Sequence, residues 1–346
     1  MKPFLAGESR ENLTVWAESR ALPKFRAGQI CQWLYGKTVI SPDDMANLPK
    51  DLRAALKEDF LAPGSRVAEI ATSPDGVEKL AISLHDNECI EMVIIPAKER
   101  LTFCLSTQVG CPVGCIFCAS GKNGLTRNLK AGEMLEQFLF GCARAGFPDN
   151  LVFMGIGEGL LNFEELSLAL DTLTSPDKFG MSPRRITVST SGYIPGMKKF
   201  AGLKKEYNLA VSLHAVDDET RAKLIPPALR YPVSEILAAA DMCRDANNRH
   251  YTLEYTLVSG INDSIAAAKK LGGIAIRHHA KINLIPCNDT DSISRRPPQT
   301  VIEEFEKAVA DTGARVTRRV ERGSKETAAC GQLRIRRMND KKEGNI

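Results

Sequence analysis

Cys104-Leu105-Ser106-Thr107-Gln108-Val109-Gly110-Cys111-Pro112-Val113-Gly114-Cys115-Ile116-Phe117-Cys118 decides how the rest of the chain is read. Cys111, Cys115 and Cys118 have the spacing C-x3-C-x2-C, which lets one loop wrap three thiolates around a corner of an iron–sulfur cube. Three ligands on a four-iron cube leave one iron without a protein ligand, and an open coordination position is where a small molecule binds and reacts. Phe117, just before the third cysteine, can shield such a group from water. Two other readings stand beside this one. Half of a zinc site would want a fourth Cys or His nearby, but His85 and His214 are distant and no second C-x2-C pair follows. A disulfide framework would want an even number of cysteines and an oxidising compartment.

Composition narrows the setting. A chain of 346 residues suits one large domain or two unequal ones, with ample material for a buried core. Its 25% charged and 43% apolar residues are ordinary for a soluble globular protein. The net charge of +4 does not by itself argue for nucleic-acid binding. Its distribution says more, because Arg315, Arg318, Arg319, Arg322, Arg334, Arg336 and Arg337 crowd the C-terminal end. Alone, that is a solvated basic face; joined to a nucleic-acid motif it becomes a docking surface. There is no uninterrupted apolar run of about 18 residues, so no membrane span is expected. Residues 1–8 lack the apolar core of a signal peptide, and ten cysteines without one point to reduced thiols in the cytoplasm.

Residues 1–65 read as a small helical accessory domain. Ile30, Trp33 and Leu34 share a helical face, Leu52, Leu56 and Phe60 repeat every four residues, and Pro49 suits a helix start. Lys24, Arg26, Lys37, Lys50 and Arg53 would decorate its outside, where RNA docking and plain packing are both open readings. Residues 66–96 read as a short β-meander linker: Leu80, Ile82 and Leu84 alternate, and Pro74-Asp75-Gly76 and Asp86-Asn87 signal turns. In its last strand Glu91 stands among apolar residues, where an unpaired buried carboxylate is costly. From residue 97 to 337 apolar strands beginning near Leu101, Leu151, Ile186, Leu209, Leu253, Ile282 and Arg315 alternate with helical stretches. That pattern predicts an α/β fold with a parallel sheet, an incomplete (β/α)6 barrel with chemistry at the C-terminal strand ends. Residues 338–346 read as a polar, frayed tail.

The motifs fall at those strand ends. The cysteine loop follows the first strand, and Gly155-Ile156-Gly157-Glu158 follows the second, its glycines letting a ligand approach the main chain. Glu158 could accept hydrogen bonds from an ammonium group or ribose hydroxyls. Ser189 lies at the third strand end, Ser212-Leu213-His214 at the fourth, and Asn288 follows Ile282-Asn283-Leu284-Ile285. A lone histidine is more often a satisfied core residue, but at a strand end beside Ser212 a cofactor contact is the better reading. Cys104 and Cys330 each read alone as small buried apolar residues. Gly331 permits a tight loop at Cys330, and Arg322 and Lys325 would favour its thiolate. The remaining cysteines keep the bland reading.

The cysteine spacing with its aromatic neighbour resembles the signature of radical S-adenosylmethionine (SAM) enzymes. The longer pattern resembles the RlmN/Cfr family of radical SAM RNA adenine methyltransferases over nearly the whole chain. It is carried by residues 104–111, Thr126-Arg127-Asn128-Leu129, residues 155–162, Val188-Ser189-Thr190-Ser191-Gly192, Val211-Ser212-Leu213-His214-Ala215, residues 260–264, Asn283-Leu284-Ile285-Pro286 and Ala328-Ala329-Cys330-Gly331-Gln332-Leu333. Residues 25–35 look like that family's accessory helical domain. The resemblance implies a radical SAM barrel with one 4Fe–4S cluster held by Cys111, Cys115 and Cys118. SAM would be contacted by Gly157, Glu158, Ser189, Ser212, Leu213, His214 and Asn288, with two molecules used per turnover. It implies that Cys330 takes a methyl from one SAM by nucleophilic displacement, as thiolates do. The second SAM supplies a radical that activates that methyl for addition to C2 or C8 of an adenine in ribosomal RNA, with transfer RNA as a second substrate. Glu91 would be the proton acceptor. Cys104 would attack the Cys330 sulfur, leaving a transient Cys104–Cys330 disulfide. An electron donor such as flavodoxin or ferredoxin is implied as partner.

Three departures from the family pattern touch the SAM loop and the substrate side. Gly159 stands where a proline is usual after G-x-G-E, Gly323-Ser324-Lys325-Glu326 replaces an acidic segment, and Cys287 replaces a larger residue. They leave open which nucleotide and which carbon are methylated. The competing expectations are a diverged radical SAM enzyme of this fold with another methyl acceptor, and an RNA-binding homologue without turnover.

Overall fold

The computed structural model describes residues 2–226, 231–288 and 294–319. Helices α1 (Arg10–Ser19), α2 (Phe25–Cys31) and α3 (Lys50–Asp59) form the N-terminal unit, with one wide π-type turn at Gln32–Gly36. Ser9 caps α1 by accepting the Asn12 amide hydrogen bond at 3.1 Å. The expected face is the buried one: Ile30, Leu34, Leu52 and Leu56 are each at most 1% exposed. Trp33 is half-buried and carries the Lys37 ammonium 3.7 Å above its ring. The unit is not a loose appendage. Tyr35 packs edge-on against Phe179, the Lys178 ammonium donates to the Gly7 carbonyl at 2.8 Å, and Glu136 accepts the Gly64 amide at 2.6 Å.

Strands β1 (Arg66–Thr72), β2 (Glu78–Ser83) and β3 (Cys89–Ala97) form the meander, followed by β4 (Arg100–Cys104). A small ladder of β5 (Gln108–Gly110) and β6 (Leu125–Asn128) comes next. The barrel continues through β7 (Asn150–Phe153), β8 (Ile186–Thr190), β9 (Asn208–Ser212), β10 (Thr252–Leu257), β11 (Lys281–Pro286) and β12 (Val316–Arg318). Helices α4 (Ala131–Ala145), α5 (Phe163–Thr174), α6 (Ile194–Gly202), α7 (Asp218–Leu224), α8 (Val233–Asn247), α9 (Ile265–Arg277) and α10 (Gln299–Ala310) make the crossovers. The ten-stranded sheet runs β1-β2-β3-β4-β7-β8-β9-β10-β11-β12. Every pair from β4 to β12 is parallel, and β1 to β4 are antiparallel. Six strand–helix units and a last strand thus make the α/β partial barrel, and the strands start within about a residue of their expected positions. The stretch read as a linking meander pairs directly with the first barrel strand, Val93 opposite Cys104, and so extends the barrel wall.

Strand alternation divides the side chains. Phe103, Leu151, Val188, Leu253 and Leu284 face the helices and are nearly inaccessible. Their neighbours Cys104, Ser189, Ser212, Glu254, Asn283 and Thr317 face the lumen. A closed eight-stranded barrel fills its interior with branched apolar side chains. Here the lumen carries polar side chains and retains a cavity of about 520 Å³, lined by Met154, Ala210 and Ile282 as well as Thr187, Glu254 and Asn283.

Candidate active site

The three cysteines sit in a loop that β5 and β6 close at its base. Gln108 pairs with Asn128 and Val109 with Arg127, and the Cys111 amide donates to the Gly124 carbonyl at 2.9 Å. Gly110 has φ +80° and a side-chain carbon there would come 2.1 Å from the Gly124 oxygen, so the narrow neck of the loop requires glycine. Arg127 anchors the outgoing strand, its guanidinium forking onto Glu133 at 2.8 and 2.7 Å and reaching Asp86 at 2.6 Å. Within the loop the Cys118 amide donates to the Cys115 carbonyl at 3.0 Å, closing a turn between the last two cysteines. Val113, Ala215, Leu224, Ile225, Val258 and Cys287 form an apolar collar against which Cys111, Cys115, Ile116 and Phe117 pack.

The donor set suits an iron–sulfur cube. Burial pushes the Cys111 thiol up to about 12, and Cys115 is raised by burial and by the charges of Cys118 and Cys111. Neighbouring thiolates oppose one another's ionisation, a penalty that a bound metal cation removes. Among the described residues no group of His, Cys, Asp or Glu side chains is gathered as for a single metal ion.

Beside the loop lies the Gly-x-Gly-Glu turn. Gly157 has φ +111°, and a side-chain carbon there would lie 2.6 Å from Gln108 Cβ. The turn is sewn to the segment entering the cysteine loop: Gln108 Oε1 accepts the Glu158 amide at 2.8 Å, and Ser106 Oγ accepts that of Ile156 at 2.9 Å. Asn162 donates to the Thr107 and Leu129 carbonyls at 2.9 and 2.7 Å. Glu158 is 4% exposed and accepts the Ser191 amide at 2.6 Å and the Leu160 amide at 3.2 Å. Burial raises its pKa and those amides oppose the rise. One carboxylate thus locks the end of β8 to the loop after β7 and keeps further acceptor capacity.

At the end of β9, His214 adopts left-handed backbone geometry with φ +56°. Its Nδ1 accepts the Thr256 amide at 3.0 Å, so the ring proton resides on Nε2. Burial and the nearby Arg221 cation depress its pKa to about 3, which keeps the imidazole neutral. The ring packs edge-on to Phe117 with centroids 4.8 Å apart, joining the fourth strand end to the cysteine loop. Ser189 and Ser212 are half-buried on the lumen side, and Asn288, two residues beyond β11, is half-buried as well. Leu213 is fully buried in the main core, and its backbone amide donates to the Val211 and Glu254 carbonyls at 2.8 and 3.1 Å.

Two positioning residues were not legible as such. Arg221 is 0% exposed, and its guanidinium donates to the carbonyls of Ser191, Ser212 and Leu213, the Ser212 bond being 3.2 Å. It fastens two neighbouring strand ends at the level of the site. Asn262 donates to the His214 and Thr256 carbonyls at 2.8 and 2.7 Å and accepts the Val258 amide at 2.8 Å. The signal for Asn262 was its place in the Gly260-Ile261-Asn262-Asp263 motif; Arg221 reads in sequence as an ordinary helix-surface arginine.

Deeper in the lumen stand Glu91 and Cys104. Glu91 is 1% exposed on β3, opposite Ala81, and its carbonyl accepts the Ser106 hydroxyl at 2.5 Å. Cys104 pairs with Val93 on the same strand and is 9% exposed. Burial raises its thiol pKa; Arg319 and Lys79 act against that and Glu91 adds to it, so all three lie in its electrostatic neighbourhood. Cys330 lies outside the described residues, as do Arg322, Lys325, Arg334, Arg336, Arg337 and residues 338–346.

Comparison with known proteins agrees with this architecture. Residues 105–271 match the radical SAM superfamily, and residues 5–61 match the ribosomal RNA large subunit methyltransferase N-terminal domain. The crystal structure of a radical SAM methyltransferase from Sphaerobacter thermophilus superposes with a TM-score of 0.91 at 36% identity, covering 95% of this chain and 98% of that one. Fold and site define a radical SAM methyltransferase, whose cofactors are a 4Fe–4S cluster and SAM. The probable dual-specificity RNA methyltransferase RlmN of Akkermansia muciniphila is 40% identical over 98% of this chain and 97% of its own. The dual-specificity RNA methyltransferase RlmN of Geotalea uraniireducens is 39% identical over 97% and 94%. The chain belongs to the RlmN family of RNA methyltransferases. Among the described residues no helix is long and apolar enough to cross a membrane.

Proposed function

We propose that this chain methylates an adenine carbon, C2 or C8, in ribosomal RNA and in transfer RNA, through a methyl group carried on Cys330. The observation that carries the reading is the stacking of two layers in one lumen. The thiol triplet, Glu158 and His214 meet at the strand ends, with Glu91 and Cys104 buried on the wall below. When bound, the cluster and SAM supply the radical that activates the methyl group. Cys111, Cys115 and Cys118 hold the cluster, and Gly157, Glu158, Ser189, Ser212, Leu213, His214 and Asn288 hold SAM. The neutral imidazole and the amide-capped carboxylate present polar contacts without a mobile charge. Glu91 would accept the proton released from the adenine carbon, while the odd electron of the RNA adduct returns to the one-electron redox couple that supplied it. The Cys104 thiolate attacks the Cys330 sulfur: a sulfur–sulfur bond forms, the sulfur–carbon bond to the product breaks, and the carbon takes a proton to become the methyl group.

Reach supports the pairing of the two thiols. Arg319, a charged neighbour of Cys104, precedes Cys330 by eleven residues. A chain of that length spans up to roughly 36–40 Å when extended. The domain boundaries we propose are 1–65, 66–96 and 97–337, the middle segment being barrel wall in structure. A flavodoxin- or ferredoxin-type donor in the cytoplasm would supply the electron.

The test is anaerobic incubation of the holoenzyme with SAM, a low-potential reductant and ribosomal or transfer RNA. Mass spectrometry should find 5′-deoxyadenosine and a methylated adenosine with the wild type, and no methylated RNA with Cys330→Ala. Appreciable RNA methylation by Cys330→Ala would refute the relay.

A further inference from the structure

β2 carries a residue that the proposed chemistry has not used. In Glu78-Lys79-Leu80-Ala81-Ile82-Ser83, Leu80 and Ile82 point into the main core, which leaves Lys79 and Ala81 on the other face. On an isolated meander that face would be water. Here it is lumen wall, and Lys79 is only 6% exposed. Burying an ammonium group is expensive unless anions surround it. Register says which groups share that wall with it. Lys79 is opposite Val93, and Val93 is opposite Cys104, so the three occupy one row across β2, β3 and β4. Glu91 is two residues from Val93 on the same face, hence the diagonal neighbour of Lys79 at roughly 7–8 Å between backbones. The strands bearing Lys79 and Cys104 are about 10 Å apart, a gap that a lysine stem largely spans.

A second cation approaches from the opposite side. The residue after β12, Arg319, donates its amide to the Leu284 carbonyl at 2.8 Å. It lies within electrostatic reach of both Cys104 on β4 and Glu254 on β10. Glu254 in turn accepts from the Asn283 amide at 2.7 Å. Among the described residues, the charged groups that act on the Cys104 sulfur are Arg319, Lys79 and Glu91, two positive and one negative.

We propose that Lys79 and Arg319 are positioning residues for the resolving thiol: their positive charges flank Cys104, stabilise negative charge on its sulfur and so make it the attacking nucleophile. Glu91 alone would oppose a second negative charge beside it; the flanking cations let carboxylate and thiolate coexist on one wall. The inference rests on Cys104 being the resolving thiol.

The test reads thiol ionisation directly in the holoenzyme. Iodoacetamide labelling of each cysteine is followed by peptide mass spectrometry across a pH series, with Cys31 on α2 and Cys243 on α8 as internal references. Lys79→Met and Arg319→Met should each slow Cys104 labelling at neutral pH by roughly three- to tenfold and move its pH midpoint upward. The reference cysteines should be unchanged, and Lys79→Arg should retain the wild-type rate. Should Lys79→Met not fold, Arg319→Met decides alone. Wild-type labelling of Cys104 in the folded variants would overturn the proposal. A covalent RNA–protein adduct that persists in the slowed variants supports it further. Slowed labelling with no adduct in any variant would leave the charge assignment standing and remove the methyl relay instead.

Discussion

Replacing Asn262 by alanine tests how the fourth strand end is held. Asn262 is 2% exposed and makes three hydrogen bonds, to the His214 carbonyl, the Thr256 carbonyl and the Val258 amide, all between 2.7 and 2.8 Å. Alanine strands two buried carbonyls and one buried amide in a region with no room for solvent. A typical net bond is worth about 1 kcal/mol and an orphaned buried group about 1–3 kcal/mol, so the expected loss is roughly 3–5 kcal/mol. Part of that loss falls locally, because His214 holds a left-handed backbone that costs about 1–2 kcal/mol and depends on this carbonyl contact. The assay is denaturant unfolding of Asn262→Ala and the isosteric Asn262→Asp, with SAM affinity measured by equilibrium dialysis. Aspartate keeps the acceptor for Val258 but loses both donors, so it should be destabilised as well and should bind SAM more weakly. A midpoint shift equivalent to less than about 1 kcal/mol in both variants, with SAM binding intact, would refute the role given to Asn262.

Further outcomes follow from His214 and Gly159. A buried neutral histidine binds fewer protons than the unfolded chain below the ordinary pKa of 6.5, so stability is complete above that value and declines as pH falls toward about 3. At about pH 5 the loss from this group amounts to about 2 kcal/mol. His214→Asn, which suits the left-handed backbone and offers Oδ1 to the Thr256 amide, should flatten that limb of the stability profile; an unchanged acid limb would contradict the assignment. Gly159 opens a short 3-10 turn after Glu158, whose φ of −99° and ψ of 101° are extended, and a side-chain carbon there meets nothing closer than 3.4 Å. Proline at such a position needs no amide donor, so Gly159→Pro should stabilise by about 0.4–1 kcal/mol with SAM binding retained. A destabilised variant would show that the turn depends on glycine.

Much of the fold was legible because the strand–helix alternation is local. Leu151, Ile186, Leu253 and Ile282 mark strands by apolar runs, and the intervening helical periods force parallel crossovers. The cysteine loop, the Gly-x-Gly-Glu turn and Ser212-Leu213-His214 were legible for the same reason, since each is a short contiguous chemistry at a strand end. Sequence could not tell that Arg221 is buried, because it sits in an ordinary charged helix and its three carbonyl partners are brought to it by two separate strand ends. Nor could it decide which face of the meander meets water. Residue alternation determined that Lys79 and Leu80 point opposite ways; pairing of β3 with β4 decided that both directions are interior. The physical reason is that patterning encodes the face a residue shares with its neighbours, whereas the electrostatic surroundings of Glu91 and Cys104 are made by strands far apart in the chain and exist only after the sheet has curled.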